Sequence, residues 1–380
     1  MTARTIAGEF GSDGMIRVEA SGKEGHLASE STRDGRNSKS VALSAFAGEV
    51  STEQAKTPLI SIKDLTVGFP SYGKTTKRAV NGVSLDIPRG EVVGLVGESG
   101  SGKSTLARAM MGMVPPPGIV EGGIVSLDGL DLSTLNEKQM RAIRGRDLSM
   151  MVPNPRSELN PLLTVGRQIS NVAHEHLGIS RKQAEAKAME MLRSVRISDA
   201  ERRFNAYPHE LSGGMAQRVI IAIALICSPR FIISDDATSG LDVTVQAQVL
   251  ELMSTLVRDR GASMLFITRD IGIAAHFCNR VAVMYAGEIV EIADTQSFFE
   301  RPAHPYSVML LSAFLHNPAL RAKWTKKADD LSGAAPLSGG CPFRFRCVRA
   351  RERCAVEHPK LSRFRPRHDV RCHFPVGTPS

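Results

Sequence analysis

The stretch Gly97-Glu98-Ser99-Gly100-Ser101-Gly102-Lys103-Ser104 has the composition and spacing of a loop that holds phosphate. Its glycines let backbone N–H groups turn inward on an anion. Lys103 can reach terminal phosphates, and Ser104 offers a hydroxyl to Mg²⁺. Thr105 continues into the following helix. Further on, the apolar run Phe231-Ile232-Ile233-Ser234 ends in Asp235 and Asp236, where a carboxylate can hold Mg²⁺ through water. Between these two elements lies Leu211-Ser212-Gly213-Gly214-Met215-Ala216-Gln217-Arg218. A hydroxyl and two glycines ahead of an apolar helix allow an anion to approach its unpaired N–H groups closely. Alone, the same run also reads as a helix N-cap with a flexible turn.

A fourth set is made of cysteines. Cys341, Cys347, Cys354 and Cys372 are separated by five, six and seventeen residues, in a segment poor in hydrophobic periodicity. Disulfides are disfavoured in a reducing compartment, which leaves metal ligation as the sharper reading. Zinc and a four-iron–four-sulfur cluster both accept four thiolates, and the spacing does not choose between them. Cys227 and Cys278 sit in apolar surroundings and read as ordinary packing residues.

The elements that must position these groups follow from periodicity. Leu59 to Ile62, Leu65 to Phe69 and Val83 to Ile87 alternate as strands. Glu91 to Val96 is a buried-type strand running straight into the glycine loop, and Ser104 to Met113 is the helix after it. Gln139 to about Ile197 reads as mostly charged helix, interrupted where Pro153, Pro155 and Pro161 force a loop. Ala216 to Ile226 is helical; Phe231 to Ser234, Ala262 to Thr268 and Val281 to Tyr285 are strands. Strands alternating with helices predict an α/β fold with a parallel sheet. Residues 1–57 are rich in Gly, Ser, Glu, Lys and Arg and predict a leader without stable structure. Residues 58–300 are expected to form the domain that carries the phosphate loop, with a helical part at about 138–215. Residues 301–380 form a Pro-, Arg- and Cys-rich extension, expected to be pinned by something other than a hydrophobic core.

Composition sets outer limits. The chain has 380 residues, 42% hydrophobic and 23% charged, which suits a globular protein of one large domain with an extension or of two domains. Its longest apolar run, Val219 to Cys227, is too short to cross a bilayer. The net charge is +9, with arginines crowded at the C-terminal end. No nucleic-acid-binding motif accompanies that charge, so it reads as a solvated basic tail and not as a nucleic-acid surface.

Taken together, GESGSGKS, LSGGMAQR and FIISDD in this order resemble the nucleotide-binding subunit of an ATP-binding cassette (ABC) transporter. The stretches LNPLLTVGRQI (Leu159 to Ile169), LDVT (Leu241 to Thr244), RVAVMYAGEIVE (Arg280 to Glu291) and HPYS (His304 to Ser307) resemble the oligopeptide/dipeptide importer branch. So does the terminal cysteine block. The resemblance spans about residues 58–375. It implies an ABC-type fold: a parallel sheet core, an antiparallel β subdomain, a helical subdomain and a small Cys-rich extension. It implies ATP and Mg²⁺ as ligands, with Gly97, Glu98, Ser99, Gly100, Ser101, Gly102, Lys103, Ser104, Thr105 and Asp235 at the site. Phe69 stands where relatives often stack an aromatic on adenine, with a plain core role equally open and Tyr72 as the alternative. In the family, two such subunits sandwich ATP, so Ser212, Gly213 and Gly214 would complete a partner's site, and Asp242 would lie at the interface. Two membrane permeases and an extracytoplasmic binding protein are the further partners implied, placing the chain peripherally at the cytoplasmic face of the inner membrane. The resemblance also favours an iron–sulfur cluster over zinc at the four cysteines.

Three positions depart from a competent ATPase of that family. Pro153 stands where relatives carry a glutamine that touches Mg²⁺ and the attacking water; proline has neither a side-chain amide nor an N–H. Asp236 replaces the glutamate that polarises this water, withdrawing the carboxylate by roughly 1.5 Å, one C–C bond. Misplacement of about 1 Å can cost on the order of 100-fold in rate. Arg269, in FITRD, replaces a histidine that contacts the γ-phosphate, and arginine stays protonated. The expectation is therefore an asymmetric heterodimer in which this chain's own site binds ATP but hydrolyses it weakly. A soluble ABC ATPase and a non-hydrolysing regulatory module uncoupled from transport are the alternatives.

Overall fold

The computed structural model describes residues 7–10, 16–19, 57–71, 74–314 and 339–377. β1 (Ala7–Phe10) and β2 (Ile16–Glu19) pair antiparallel within the leader from which no stable structure was expected. The second run, Ile16 to Glu19, alternates apolar and polar residues, a local signal that the bulk composition masks. Tyr72 and most of the leader lie outside the described residues.

The alternating runs after Leu59 build a four-stranded antiparallel sheet in the order β4-β3-β6-β7. Its strands are β3 (Ile60–Ser71), β4 (Lys74–Ile87), β6 (Ile119–Leu127) and β7 (Leu130–Asp131). The main sheet has eight strands, ordered β13-β14-β12-β11-β5-β10-β9-β8. Its parallel centre is β11 (Arg280–Tyr285), β5 (Val92–Val96), β10 (Ser263–Thr268), β9 (Phe231–Asp235) and β8 (Leu148–Met151). Antiparallel β12 (Glu288–Asp294), β14 (His368–Val370) and β13 (Ser362–Arg365) extend one edge.

Successive residues of the central strands serve opposite cores, as the pleat requires. Phe231, Ile233, Leu265 and Ile267 face the antiparallel sheet and α1 (Lys103–Met110). Ile232, Met264 and Phe266 face the other way, into a core shared with α7 (Gly213–Leu225), α8 (Val243–Asp259) and α9 (Ile271–Phe277). Burial on both faces explains why these strands read as continuous apolar runs. The remaining helices are α2 (Glu137–Ile143), α3 (Pro155–Glu158), α4 (Val165–Leu177), α5 (Arg181–Ser194), α6 (Ala200–Phe204), α10 (Thr295–Glu300), α11 (Pro305–Phe314) and α12 (Glu352–Val356).

Three further sequence expectations change. The stretch read as helix from Gln139 contains β8, an edge strand of the main sheet; four residues are too few for periodicity to separate strand from helix. The extension, in turn, is anchored by hydrophobic burial and by sheet pairing. Tyr306, Val308, Met309 and Leu311 of α11 are buried, and β14 pairs with β12 at Glu291↔Val370. Buried Glu291 accepts the backbone N–H groups of Ala303 (2.8 Å) and His304 (2.7 Å) and pairs with His368 Nε2 at 2.7 Å. Nor are the C-terminal arginines simply a solvated tail: Arg346 pairs with Glu98, Arg363 with Asp369 and Arg367 with Asp294.

Candidate nucleotide-binding site

β5 delivers the chain into the glycine loop, and α1 begins at Lys103 as it leaves. Gly97 has φ 151°, and a Cβ there would stand 2.2 Å from the Met284 carbonyl oxygen. Gly102 has φ 108°, with the Ala79 carbonyl oxygen 2.1 Å from its would-be Cβ. Both positions need glycine for conformation and for space. The loop is fastened to the β11–β12 turn by the Gly287 N–H, which donates to the Ser101 carbonyl at 2.9 Å. Lys103 Nζ donates to the carbonyls of Gly97 and Glu98, both at 2.8 Å, and to Ser101 Oγ at 3.2 Å. Burial lowers the Lys103 pKa, opposed by the carboxylates of Asp235 and Asp236.

Ser104 Oγ donates to Asp235 Oδ1 at 3.0 Å, so the two groups expected to serve Mg²⁺ meet across the head of α1. Burial raises the Asp235 pKa, and the neighbouring Asp236 carboxylate adds to that rise. The fit to a divalent cation is chemically sound: a hydroxyl and a carboxylate are hard oxygen donors.

One cleft gathers Phe69, the loop residues Ser99, Gly100, Gly102, Lys103, Ser104 and Thr105, and then Asp235, Asp236 and Arg269. Phe69 is half-buried and packs on the chain near Gly118, where a Cβ would stand 2.7 Å from its ring. It therefore belongs to the core margin and to the cleft wall at once. Lys77, Arg78, Ala286 and Gly287 also line the cleft and were missed by sequence reasoning. The basic run Lys74 to Arg78 was a signal, but only the register of β4 shows that it borders the loop.

Two of the three residues expected to weaken hydrolysis, Asp236 and Arg269, meet each other. Arg269 Nε donates to Asp236 Oδ2 at 3.0 Å, and Nη2 lies 2.9 Å from the same oxygen in an ion pair. Asp236 is held in left-handed backbone, φ 49°, with its N–H donated to the Ile267 carbonyl at 2.9 Å. Pro153 lies just past the end of β8, half-buried and outside the residues that line the cleft.

Ser212, Gly213, Gly214 and Asp242 stand away from this cleft, none of them lining it. Ser212 Oγ caps α7 by accepting the Met215 N–H at 3.3 Å. Asp242 Oδ1 caps α8 by accepting the Val245 N–H at 2.9 Å. The two glycines differ. A Cβ on Gly214 would come within 2.7 Å of Val245, whereas one on Gly213 would meet only Leu241, at an ordinary 3.9 Å. Packing within the chain thus explains Gly214 and leaves Gly213 open to the outside.

Cys341, Cys347, Cys354 and Cys372 line one cavity in the extension, beside His304, Phe343 and Phe374. Burial pushes the Cys341 thiol up to about 11 and the Cys372 thiol up to about 12. Their donor type suits a thiolate-bound metal, but among the described residues no group of three or more His, Cys, Asp or Glu is arranged to hold an ion.

Comparison with known proteins agrees with this geometry. The ABC transporter family matches residues 80–239, and the oligopeptide/dipeptide transporter C-terminal region matches residues 290–354. A probable peptide ABC transporter ATP-binding protein of Sinorhizobium fredii is 42% identical over 320 residues, covering 83% of this chain and 94% of that one. The dipeptide transport ATP-binding protein DppD of Bacillus subtilis is 40% identical over 327 residues, covering 83% of this chain and 94% of its own length. Among solved structures, a dimeric bacterial ABC transporter cassette superposes with a TM-score of 0.56 at 27% identity, covering 62% of this chain and 98% of that one. A phosphate loop closed by obligatory glycines, a serine–aspartate pair beside it and this extent of similarity place the chain in the family of ABC transporter ATP-binding proteins, within its oligopeptide/dipeptide branch.

Proposed function

We propose that this chain binds ATP and Mg²⁺ on its own phosphate loop and couples nucleotide turnover to the import of peptides or related small solutes. It works as one half of an asymmetric pair of ATP-binding subunits. The observation that carries the asymmetry is the Asp236–Arg269 ion pair. A carboxylate that polarises an attacking water needs a lone pair aimed at that water. Here the shortened side chain engages its Oδ2 with the Arg269 guanidinium, through the Nε hydrogen bond and the Nη2 ion pair, and Pro153 offers no amide to replace it.

The loop N–H groups and Lys103 would hold the phosphates, with Phe69 beside the base. Mg²⁺, held by Ser104 and Asp235, would neutralise charge on the terminal phosphates. Ser212, Gly213 and Gly214 would complete the partner's site, with Asp242 at the shared interface. The spare room at Gly213 and the dimeric assembly of the solved cassette support this. The transport role rests on relatives named for peptide and dipeptide transport. No helix among the described residues is long and apolar enough to cross a membrane. Two permeases would therefore anchor the pair at the cytoplasmic face of the inner membrane, fed by an extracytoplasmic binding protein. We divide the chain into a leader (1–57), a cassette (58–300, helical part about 138–215) and an extension (301–380).

The test is the ATPase of the assembled transporter. Asp236→Ala should change it by less than about twofold, while removal of the partner's equivalent carboxylate should lower it by about 100-fold or more. A large loss from Asp236→Ala would sink the asymmetric reading.

For the four cysteines we propose an iron–sulfur cluster, zinc being the alternative. Its contribution would be structural: metal–thiolate bonds would add folding energy to the loop-rich stretch that carries the cysteines. Protein purified without oxygen should contain iron and acid-labile sulfide in about equal amounts, about four of each per chain. Stoichiometric zinc without sulfide would replace this assignment.

A further inference from the structure

Glu98, the second residue of the phosphate loop, is gripped from the extension. Its carboxylate accepts two parallel hydrogen bonds from Arg346 Nη1 and Nη2, both at 2.8 Å. Its backbone N–H donates to Tyr306 Oη at 2.8 Å. On the other side, its carbonyl accepts the hydrogen bond from Lys103 Nζ at 2.8 Å. One residue, Glu98, therefore joins the phosphate-binding lysine to two residues far along the chain.

Both residues are braced. Tyr306 is fully buried, its ring 4.6 Å from that of Tyr285 and 5.4 Å from that of Phe343. The Arg346 guanidinium lies 5.9 Å from the ring centroids of Tyr285 and Phe343. Phe343 in turn lines the cavity of the four cysteines, and Arg346 directly precedes Cys347. The Arg346 hydrogen bonds hold the Glu98 carboxyl below its ordinary pKa, so the pair is ionised at neutral pH. Bidentate guanidinium–carboxylate pairs fix geometry as well as charge.

We propose that Arg346 and Tyr306 are positioning residues for the phosphate loop, so that ATP affinity at this chain's own site depends on the order of the cysteine block. By linkage, ATP must then stabilise that block in return. This inference rests on the reading of the loop as an ATP site. Arg346 and Tyr306 touch no nucleotide; they set the direction of the Glu98 peptide, and through it the seat of Lys103.

The experiment measures ATP–Mg²⁺ affinity by calorimetric titration, and hydrogen exchange across residues 339–358, on the full chain in its assembled transporter. With partner turnover blocked, Arg346→Gln should raise the Kd at this site about tenfold and Arg346→Lys by less, since lysine keeps charge but loses the fork. Tyr306→Phe keeps the ring and removes only the acceptor; it should raise Kd about threefold, and it decides the matter if Arg346→Gln does not assemble. ATP should slow exchange over residues 339–358 in the wild type and not in Arg346→Gln, a response that simple loss of stability would not abolish. Equal Kd values for wild type and variants, or exchange over 339–358 indifferent to ATP in the wild type, would overturn the proposal. Failure of the wild-type loop to bind ATP would instead overturn the reading of the site, and this inference with it.

Discussion

In a transporter whose partner subunit has lost its own catalytic carboxylate, Pro153→Gln, Asp236→Glu and Arg269→His made together in this chain should restore ATP hydrolysis by about tenfold to 100-fold. The glutamate adds the missing methylene and reaches toward the water. The glutamine supplies an amide where proline has none. The histidine matters for a reason visible only in the structure: Arg269 Nε and Nη2 stand 3.0 and 2.9 Å from Asp236 Oδ2. A glutamate introduced alone would be captured by the same guanidinium. The single variant Asp236→Glu should therefore recover only a small part of the gain, and the three changes should be strongly non-additive. A steady-state phosphate-release assay on the single, double and triple variants reads this out. Equal gains from Asp236→Glu with and without Arg269→His would show that the ion pair does not restrain the carboxylate.

The opposite outcome is expected from the intact half-site. Gly213→Asp should lower the ATPase of the assembled transporter by about 100-fold or more, although it touches neither the phosphate loop nor Asp236 of this chain. Removing one well-placed anion-stabilising group typically costs 100- to 1000-fold, and a carboxylate there also repels phosphate. Folding should be spared, because a Cβ at this position meets only Leu241 at 3.9 Å. Gly214 offers no such clean test: its Cβ would collide with Val245 at 2.7 Å, so loss of activity could follow from displaced helices. ATPase and thermal unfolding of Gly213→Asp, set beside Asp236→Ala, separate what this chain lends from what it uses. Comparable losses from both would mean that the two sites are equivalent.

Much of the cassette was legible from local pattern. The central strands declare themselves as apolar runs because both faces are buried, and the glycine loop is recognisable because φ and space at Gly97 and Gly102 admit no other residue. β8 was not legible: Leu148 to Met151 is too short for its period to speak. The extension was misjudged for a related reason. Its attachment comes from partners distant in sequence, Glu291 to His368 and Glu98 to Arg346, which composition cannot pair.

The sequence by itself determined the family and the reading of its chemistry: a glycine loop suited to phosphate, a carboxylate at the end of an apolar strand, and the residues on which the proposals about a partner and about weak hydrolysis rest. These are properties of residue type and short spacing, and they survive without coordinates. Only the tertiary structure decided how the odd residues relate. It set Arg269 on Asp236 across 33 positions of chain, and the cysteine block against the phosphate loop across about 250. Such contacts depend on the order of strands in the sheet, which brings β10 beside β9 and the extension against β11 and β12. No local periodicity encodes that order.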